Sequence, residues 1–216
     1  MQFAIQTFIG MSQTNNKKQT IDFYNANAEQ YVAETSNLDV SDHRNRFLNF
    51  IPNGGHILDL GCGSGRDSRF FIDRGYSVTA VDASEEIAKL ASEFIGKTVD
   101  VLAFQELDCF EAFDGIWACA SLLHCPKSEM DSVIRRMTKA LKPSGIVYMS
   151  FKYGLGERVD ERGRFFNDYT EADLSELLVS HSDLEIIDLF TESKPLRGGF
   201  QTWLNLYAKK QADNDA

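Results

Sequence analysis

The sequence predicts an α/β fold: a mostly parallel, seven-stranded sheet with helices on both faces in three layers, and an antiparallel last strand. Three observations predict it. From residue 56 onward, short apolar runs alternate with helical patterns, the order that a parallel sheet with crossover helices requires. The run His56-Ile-Leu-Asp-Leu60 passes directly into Gly61-Cys-Gly-Ser-Gly65 and then into a helical pattern. Finally, two closing strands are joined by a connection too short for a crossover, which favours an antiparallel pair.

Residues 1–16 carry no hydrophobic period and are expected to be disordered, with Met11 as suitable a start as Met1. From Lys17 to about Glu34, Ile21, Tyr24, Ala28, Tyr31 and Val32 recur at helical intervals, and a second helix from about Ser41 to Phe50 ends before Pro52. Ile57, Leu58 and Leu60 suit a strand buried on both faces, which leaves the charge of Asp59 to be explained. The helix from Arg66 to Arg74 stops at Gly75, a left-handed cap. Strand 2 runs from Tyr76 to Val81 and ends at Asp82. Ser84 is an N-cap for a helix whose apolar stripe is Ile87, Leu90, Ala91 and Phe94. Thr98 to Phe104 reads as strand 3 and Phe113 to Ala120 as strand 4. Met130, Val133, Ile134, Met137 and Leu141 give the face of a long helix, and Lys142-Pro-Ser-Gly145 turns into strand 5 at Ile146 to Phe151. Thr170-x-x-Asp173 opens a helix with Leu174, Leu177 and Leu178 inside. Leu184 to Phe190 and Thr202 to Ala208 close the sheet across a loop holding Pro195, Gly198 and Gly199. Residues 17–210 are thus expected to form a single domain, followed by a flexible tail at 211–216.

Composition narrows the function. Of 216 residues, 43% are hydrophobic and 25% charged, ordinary values for a globular domain. A net charge of -10 repels phosphate backbones, so a small-molecule partner is favoured over nucleic acid. No apolar run reaches the roughly 20 residues of a membrane span, and residues 1–10 lack a signal-peptide pattern, so a soluble cytoplasmic protein is expected. Its oligomeric state is left open. Cys62, Cys109, Cys119 and Cys125 show no disulfide-framework spacing and are expected to be reduced thiols. Cys119, His124 and Cys125 lack the fourth ligand and the spacing of a zinc site, and no metal is expected.

The glycine turn indicates a nucleoside-like ligand, because glycines let a ligand approach the backbone while the amides opening the next helix face it. A dinucleotide fingerprint starting at Gly61 would need glycine at position 66, which is arginine. Asp82 lies 21 positions after Gly61, where an acid can accept from both hydroxyls of a ribose. Asp59-x-Gly-x-Gly-x-Gly65 with Asp82 resembles motifs I and II of the class I S-adenosylmethionine-dependent methyltransferases. In that family the glycines border the methionine part of the cofactor, and the acid binds its ribose.

The resemblance implies a Rossmann-like methyltransferase sheet and S-adenosylmethionine as cofactor. It places Asp59, Gly61, Cys62, Gly63, Gly65, Arg66, Asp82, Ala83 and Cys119 around that cofactor. Gln105 falls on the adenine edge, where the family's usual acid is missing unless Glu106 takes its part. Tyr24-x-x-x-Ala-x-x-Tyr31 resembles the helix that small-molecule members fold over the cofactor; two tyrosines on a packing face are the alternative. Gly65-Arg-Asp-Ser68 and the stretch through Asp82 resemble tellurite-resistance methyltransferases, in the small-molecule branch.

A sulfonium-bound methyl is already electrophilic, so the protein's task is to align a nucleophile in line with it and exclude water. His124 is the candidate general base, or else it only shapes the pocket. The segment Phe151 to Phe166, a loop after strand 5, holds Lys152, Arg158, Arg162 and Arg164. Arginine forks suit an anionic or carboxylate acceptor; mutual ion pairs that merely order a lid are the other reading. Arg197 and Trp203 can join the same rim. Ala118-Cys-Ala-Ser121 is not the motif of amino-directed DNA methyltransferases, and the Pro-Cys nucleophile of the cytosine-5 type is missing. A transfer-RNA methyltransferase and a non-catalytic cofactor-binding protein are the rival readings.

Overall fold

The computed structural model describes residues 16–196 and 199–212; of residues 1–16, expected to be disordered, 1–15 lie outside the described residues and Asn16 is helical, and Arg197, Gly198 and residues 213–216 of the expected tail also lie outside them. Helices α1 (residues 16–26), α2 (Ala28–Thr35) and α3 (Ser41–Leu48) precede β1 (His56–Leu60). There follow α4 (Arg66–Asp73), β2 (Ser77–Asp82), α5 (Glu85–Ile95), β3 (Val99–Val101), β4 (Phe113–Ala118), α6 (Lys127–Ala140) and β5 (Leu141–Lys152). Next come β6 (Gly156–Val159), β7 (Phe165–Asp168), α7 (Glu171–Val179), β8 (Leu184–Leu196) and β9 (Gly199–Lys210). The main sheet has seven strands in the order β3-β2-β1-β4-β5-β9-β8. The last strand, β9, is antiparallel to both its neighbours, and the other pairings are parallel.

Strand alternation sorts side chains between the two faces. Leu58, Leu60, Ile116, Ala118, Val147, Met149, Leu204 and Leu206 point into one core with α6 and α7. Ile57, Trp117, Ile146, Tyr148 and Tyr207 point the other way, against Phe47 of α3 and Phe71 of α4. Trp117 stacks on Tyr148 with centroids 4.2 Å apart. Gly115 makes this packing possible, because a Cβ there would lie 2.5 Å from Ile51 Cδ1 and 2.6 Å from Phe47 Cζ. The predicted caps are present: Ser84 Oγ accepts from Ile87 N, and Thr170 and Asp173 form a reciprocal capping box.

Several expectations change. The first predicted helix is interrupted at Asn27, whose φ of -124° and ψ of 22° lie outside the helical region and whose side-chain amide shares the Phe23 carbonyl with its own backbone N–H. Strand 3 is shorter, because Ala103 N is captured by Glu106 Oε2 and starts a 3₁₀ turn. The buried stripe of α5 is Ile87, Ala88, Ala91 and Ile95, which leaves Phe94 exposed. The predicted loop after strand 5 contains a β6–β7 hairpin in register from Gly156↔Asp168 to Val159↔Phe165. Strands β8 and β9 also pair through most of the predicted loop, with Pro195 opposite Phe200; β8 is an edge strand, where proline is tolerated.

Beneath the glycine turn lies a buried charged cluster. Asp67 accepts from Arg66 Nε and Nη2 at 2.8 Å each, from Arg44 Nη1 at 3.2 Å and from Trp117 Nε1 at 2.9 Å. Removing one member of such a cluster strands its partners in a low-dielectric interior. Asp67→Ala is therefore expected to destabilise the chain by about 3–5 kcal/mol. Urea unfolding should show a lower midpoint at an unchanged slope.

Candidate active site

The carboxyl ends of the parallel strands converge on one cleft. It is lined by Gly61 and Gly63 after β1, Asp82 at the end of β2 with Ala83, Ser84 and Ile87 beyond it, and Ala103, Phe104 and Gln105 after β3. Ala120, Ser121 and His124 follow β4, and Lys17, Thr20, Ile21, Tyr24 and Tyr31 come from α1 and α2. This is the edge at which open α/β sheets bind ligands.

The turn after β1 adopts backbone angles that favour glycine, with φ of 78° at Gly61 and 54° at Gly63. A Cβ on Gly61 would fall 2.5 Å from Ser121 Cβ, and one on Gly63 would fall 3.0 Å from the Tyr31 hydroxyl. The turn is pinned to β2, since Gly61 N and Cys62 N both donate to the Val81 carbonyl at 2.9 Å. Asp82 Oδ2 accepts from Gly63 N and Oδ1 from Ser84 N, each at 3.0 Å, so each oxygen keeps acceptor capacity at the cleft. Burial raises the pKa of this carboxyl, and the backbone donors counter it.

Asp59 lies behind the turn and does not line the cleft. It is 2% exposed, accepts from Ser68 Oγ at 2.6 Å, and has its pKa raised by burial and then by the charge of Asp67. The lone charge of strand 1 thus ties the strand to α4. Arg66 also sits behind the turn, bound to Asp67 and donating to the Thr35 carbonyl. Cys62 is buried, and burial raises its thiol pKa. Gly65 packs against α5, where a Cβ would meet Ile95 Cγ2 at 2.9 Å. Burial pushes the Cys119 thiol up to about 12, and it accepts from Ser150 Oγ at 3.9 Å. Among the described residues, no group of three His, Cys, Asp or Glu side chains is placed to hold a metal ion.

Helix α1 spans the cleft. Lys17 Nζ donates to Gln105 Oε1 at 2.8 Å, and Thr20 Oγ1 accepts from Phe165 N at 2.9 Å. Tyr24 bonds His124 at 2.8 Å, and Asn25 Oδ1 accepts from Ser84 Oγ at 2.6 Å. Tyr24 and Tyr31 meet edge to face at 5.0 Å. Glu106 bonds its own turn, whereas Gln105 reaches both Lys17 and Glu129.

His124 Nδ1 lies 2.6 Å from the Phe165 carbonyl, which can only accept, so Nδ1 carries the proton and Nε2 accepts from Tyr24. Burial lowers the pKa of His124 to about 4. Arg164 is bound through Nε and Nη2 to Asp160 Oδ2 and also reaches the Tyr24 hydroxyl. Arg158 pairs with Asp168 at 2.7 Å, and Arg162 is exposed. Lys152 Nζ sits 4.0 Å over the Phe166 ring, and Trp203 lies opposite Lys152 in the β5–β9 register. None of Lys152, Arg158, Arg162, Arg164 and Trp203 is among the residues lining the cleft.

Sequence reasoning passed over Lys17, Thr20 and Ile21, although they share the helical face of Tyr24 at the spacing i, i+3, i+4, i+7. It also missed Ser121, whose hydroxyl donates to the Leu60 carbonyl at 2.6 Å and fills the space beside Gly61. Ala120 was missed too; it holds φ of 52° while its N–H donates to Ser150 Oγ.

The comparisons fit this geometry. Residues 57–145 match the methyltransferase domain family. The ubiquinone biosynthesis O-methyltransferase of Idiomarina loihiensis is 32% identical over 116 residues, 48% of this chain and 47% of that one. The chain spans about half the length of the curated relatives it matches. The 1,6-didemethyltoxoflavin-N1-methyltransferase of Burkholderia thailandensis, solved with 1,6-didemethyltoxoflavin and S-adenosylhomocysteine, superposes with a TM-score of 0.67 at 22% identity, covering 95% of this chain and 90% of that one. TehB from Haemophilus influenzae superposes with a TM-score of 0.66 at 17% identity, covering 85% and 67%. At these identities the solved structures speak for the fold. Residues 57–145 thus match a methyltransferase domain, and the strand order is that of the fold shared with these S-adenosylmethionine-dependent methyltransferases.

The cleft suits that cofactor. The glycines of the turn border it, and a half-buried carboxylate with unused acceptor capacity stands at the end of β2.

Histidine 124 also sets a pH dependence. Its folded pKa of about 4 lies below the ordinary 6.5, so between these values the unfolded chain binds a proton that the folded chain does not. This contribution is fully present above pH 6.5 and is lost progressively as the pH falls toward about 4. His124→Gln is expected to flatten the decline in stability across that window, measured by urea unfolding at a series of pH values.

Proposed function

We propose that this chain transfers a methyl group from S-adenosylmethionine to a small-molecule acceptor by in-line displacement. The observation that carries the reading is the meeting of the Gly61–Gly63 turn and the Asp82 carboxylate in one cleft at the carboxyl edge of the sheet. When bound, the cofactor supplies a methyl group already activated by its sulfonium, so the protein needs only to bind, orient and exclude water.

In this reading Asp82 accepts hydrogen bonds from the ribose hydroxyls, and the Gly61–Gly63 backbone borders the methionine part. Phe104 and Gln105 border the base, and Tyr24 and Tyr31 cover the cofactor from α1 and α2. His124 is assigned the positioning of Tyr24 rather than proton abstraction. Its low pKa makes it a weak base, and both ring nitrogens are already engaged. The net charge of -10 supports a small-molecule acceptor over a nucleic acid.

Calorimetry with S-adenosylhomocysteine tests the cofactor half. Asp82→Ala should weaken binding roughly ten-fold to a hundred-fold, the worth of a charged hydrogen bond of about 1.5–3 kcal/mol. Gly63→Val should abolish binding, because its side chain would collide with Tyr31 and the ligand space. Unchanged affinity in folded Asp82→Ala would remove the ribose assignment. Transfer of labelled methyl from the cofactor to a metabolite pool tests catalysis itself.

A further inference from the structure

We infer that Lys152, Arg158 and Arg164, gathered around the ring of Phe166, form a subsite for an anionic group of the acceptor, a carboxylate or a phosphate-type oxyanion. The inference rests on the methyl-transfer reading of the neighbouring cleft. Lys152 Nζ lies 4.0 Å from the Phe166 centroid, Arg158 Cζ 4.6 Å and Arg164 Cζ 5.1 Å. The Phe166 ring is 2% exposed and packs 4.8 Å from the ring of His124, which lines the cleft. The cations therefore stand one aromatic ring behind the cleft wall.

Charge accounting singles out Lys152. Asp168 takes both Nε and Nη2 of Arg158, and Asp160 takes the same two atoms of Arg164. Three cations thus face two carboxylates, and among the described residues Lys152 has no carboxylate partner. Its ammonium is half-buried, it lies over a ring face with no carboxylate or carbonyl acceptor among the described residues, and two guanidinium groups flank it. Burial and then the charges of Arg158 and Arg164 lower its pKa, the expected state of a cation short of an anion. Cation–π attraction offsets only part of that cost. On a chain with 32 acidic against 22 basic residues, such a local surplus concentrates anions at one point. The ion pairs of Arg158 and Arg164 order the hairpin, and they leave Lys152 as the group that recruits the ligand.

The test follows the backbone amide shifts of residues 165–168 in the full chain during titration with inorganic phosphate or acetate at fixed ionic strength. The chain is first saturated with S-adenosylhomocysteine, as checked by calorimetry. Saturable shifts are expected in the unsubstituted chain. They should be about ten-fold weaker in Lys152→Met, the loss of one charged hydrogen bond, and retained in Lys139→Met, whose ammonium pairs with Asp108 on the surface. Tighter phosphate binding would identify a phosphorylated acceptor, and tighter acetate binding a carboxylate. Absence of saturable shifts in the loaded, unsubstituted chain would overturn the subsite, as would equal affinity in Lys152→Met. If that variant does not fold, Lys152→Gln serves in its place, and the unsubstituted chain alone still decides. Failure to bind S-adenosylhomocysteine at all would count against the methyltransferase reading instead.

Discussion

The carboxylate of Asp67 is the interaction on which the site depends. It binds Arg66 beside it on α4, Arg44 from α3 and the indole of Trp117 from β4. Arg66 in turn donates to the Thr35 carbonyl at the end of α2. Burying such a cluster gains little net stability against apolar side chains of the same volume, and its effect here is geometric. It fixes where α2 leaves the domain, which sets Tyr31 against Gly63 and, one helix earlier, Tyr24 against His124. A structural ion cluster below the glycine turn thus determines what lies above it.

The parts of the fold that were legible in the sequence are those with a local physical signature. Ile57, Leu58 and Leu60 announced a buried strand, Gly75 followed the end of a helix with φ of 85°, and Thr170 with Asp173 formed the capping box their spacing implied. The β6–β7 hairpin was illegible because Glu157, Arg158 and Val159 are all exposed, so β6 shows no alternation, while Phe165 and Phe166 are both buried. The length of β8 and β9 was hidden by Pro195, which reads as a breaker unless the strand is known to lie on an edge. Phe94 looked like core because helical spacing gives the width of a stripe but not where the neighbouring element meets it.

Within the cleft, Gly61, Gly63, Asp82, Ala83, Gln105, Tyr24, Tyr31 and His124 were chosen from the sequence and line it together, whereas Asp59, Cys62, Gly65, Arg66 and Cys119 support it from behind. The division has a simple cause. A motif records every residue that a turn needs, both those facing the ligand and those holding the turn in place, and only packing separates the two. Ser121 and Gly61 illustrate the limit: their complementarity spans two strands that are distant in the chain, and no local pattern carries it.

Helix α1 touches the cleft at both ends, at Gln105 through Lys17 and at His124 through Tyr24, with Thr20 bonded to the hairpin between them and Asn25 bonded to Ser84 at the N-cap of α5. The attachments lie within three turns of one helix, so a shift of the helix axis strains all of them. The doorway on the Gln105 side and the doorway on the His124 side therefore share one latch. A change at either doorway is therefore felt at the other through the same short helix.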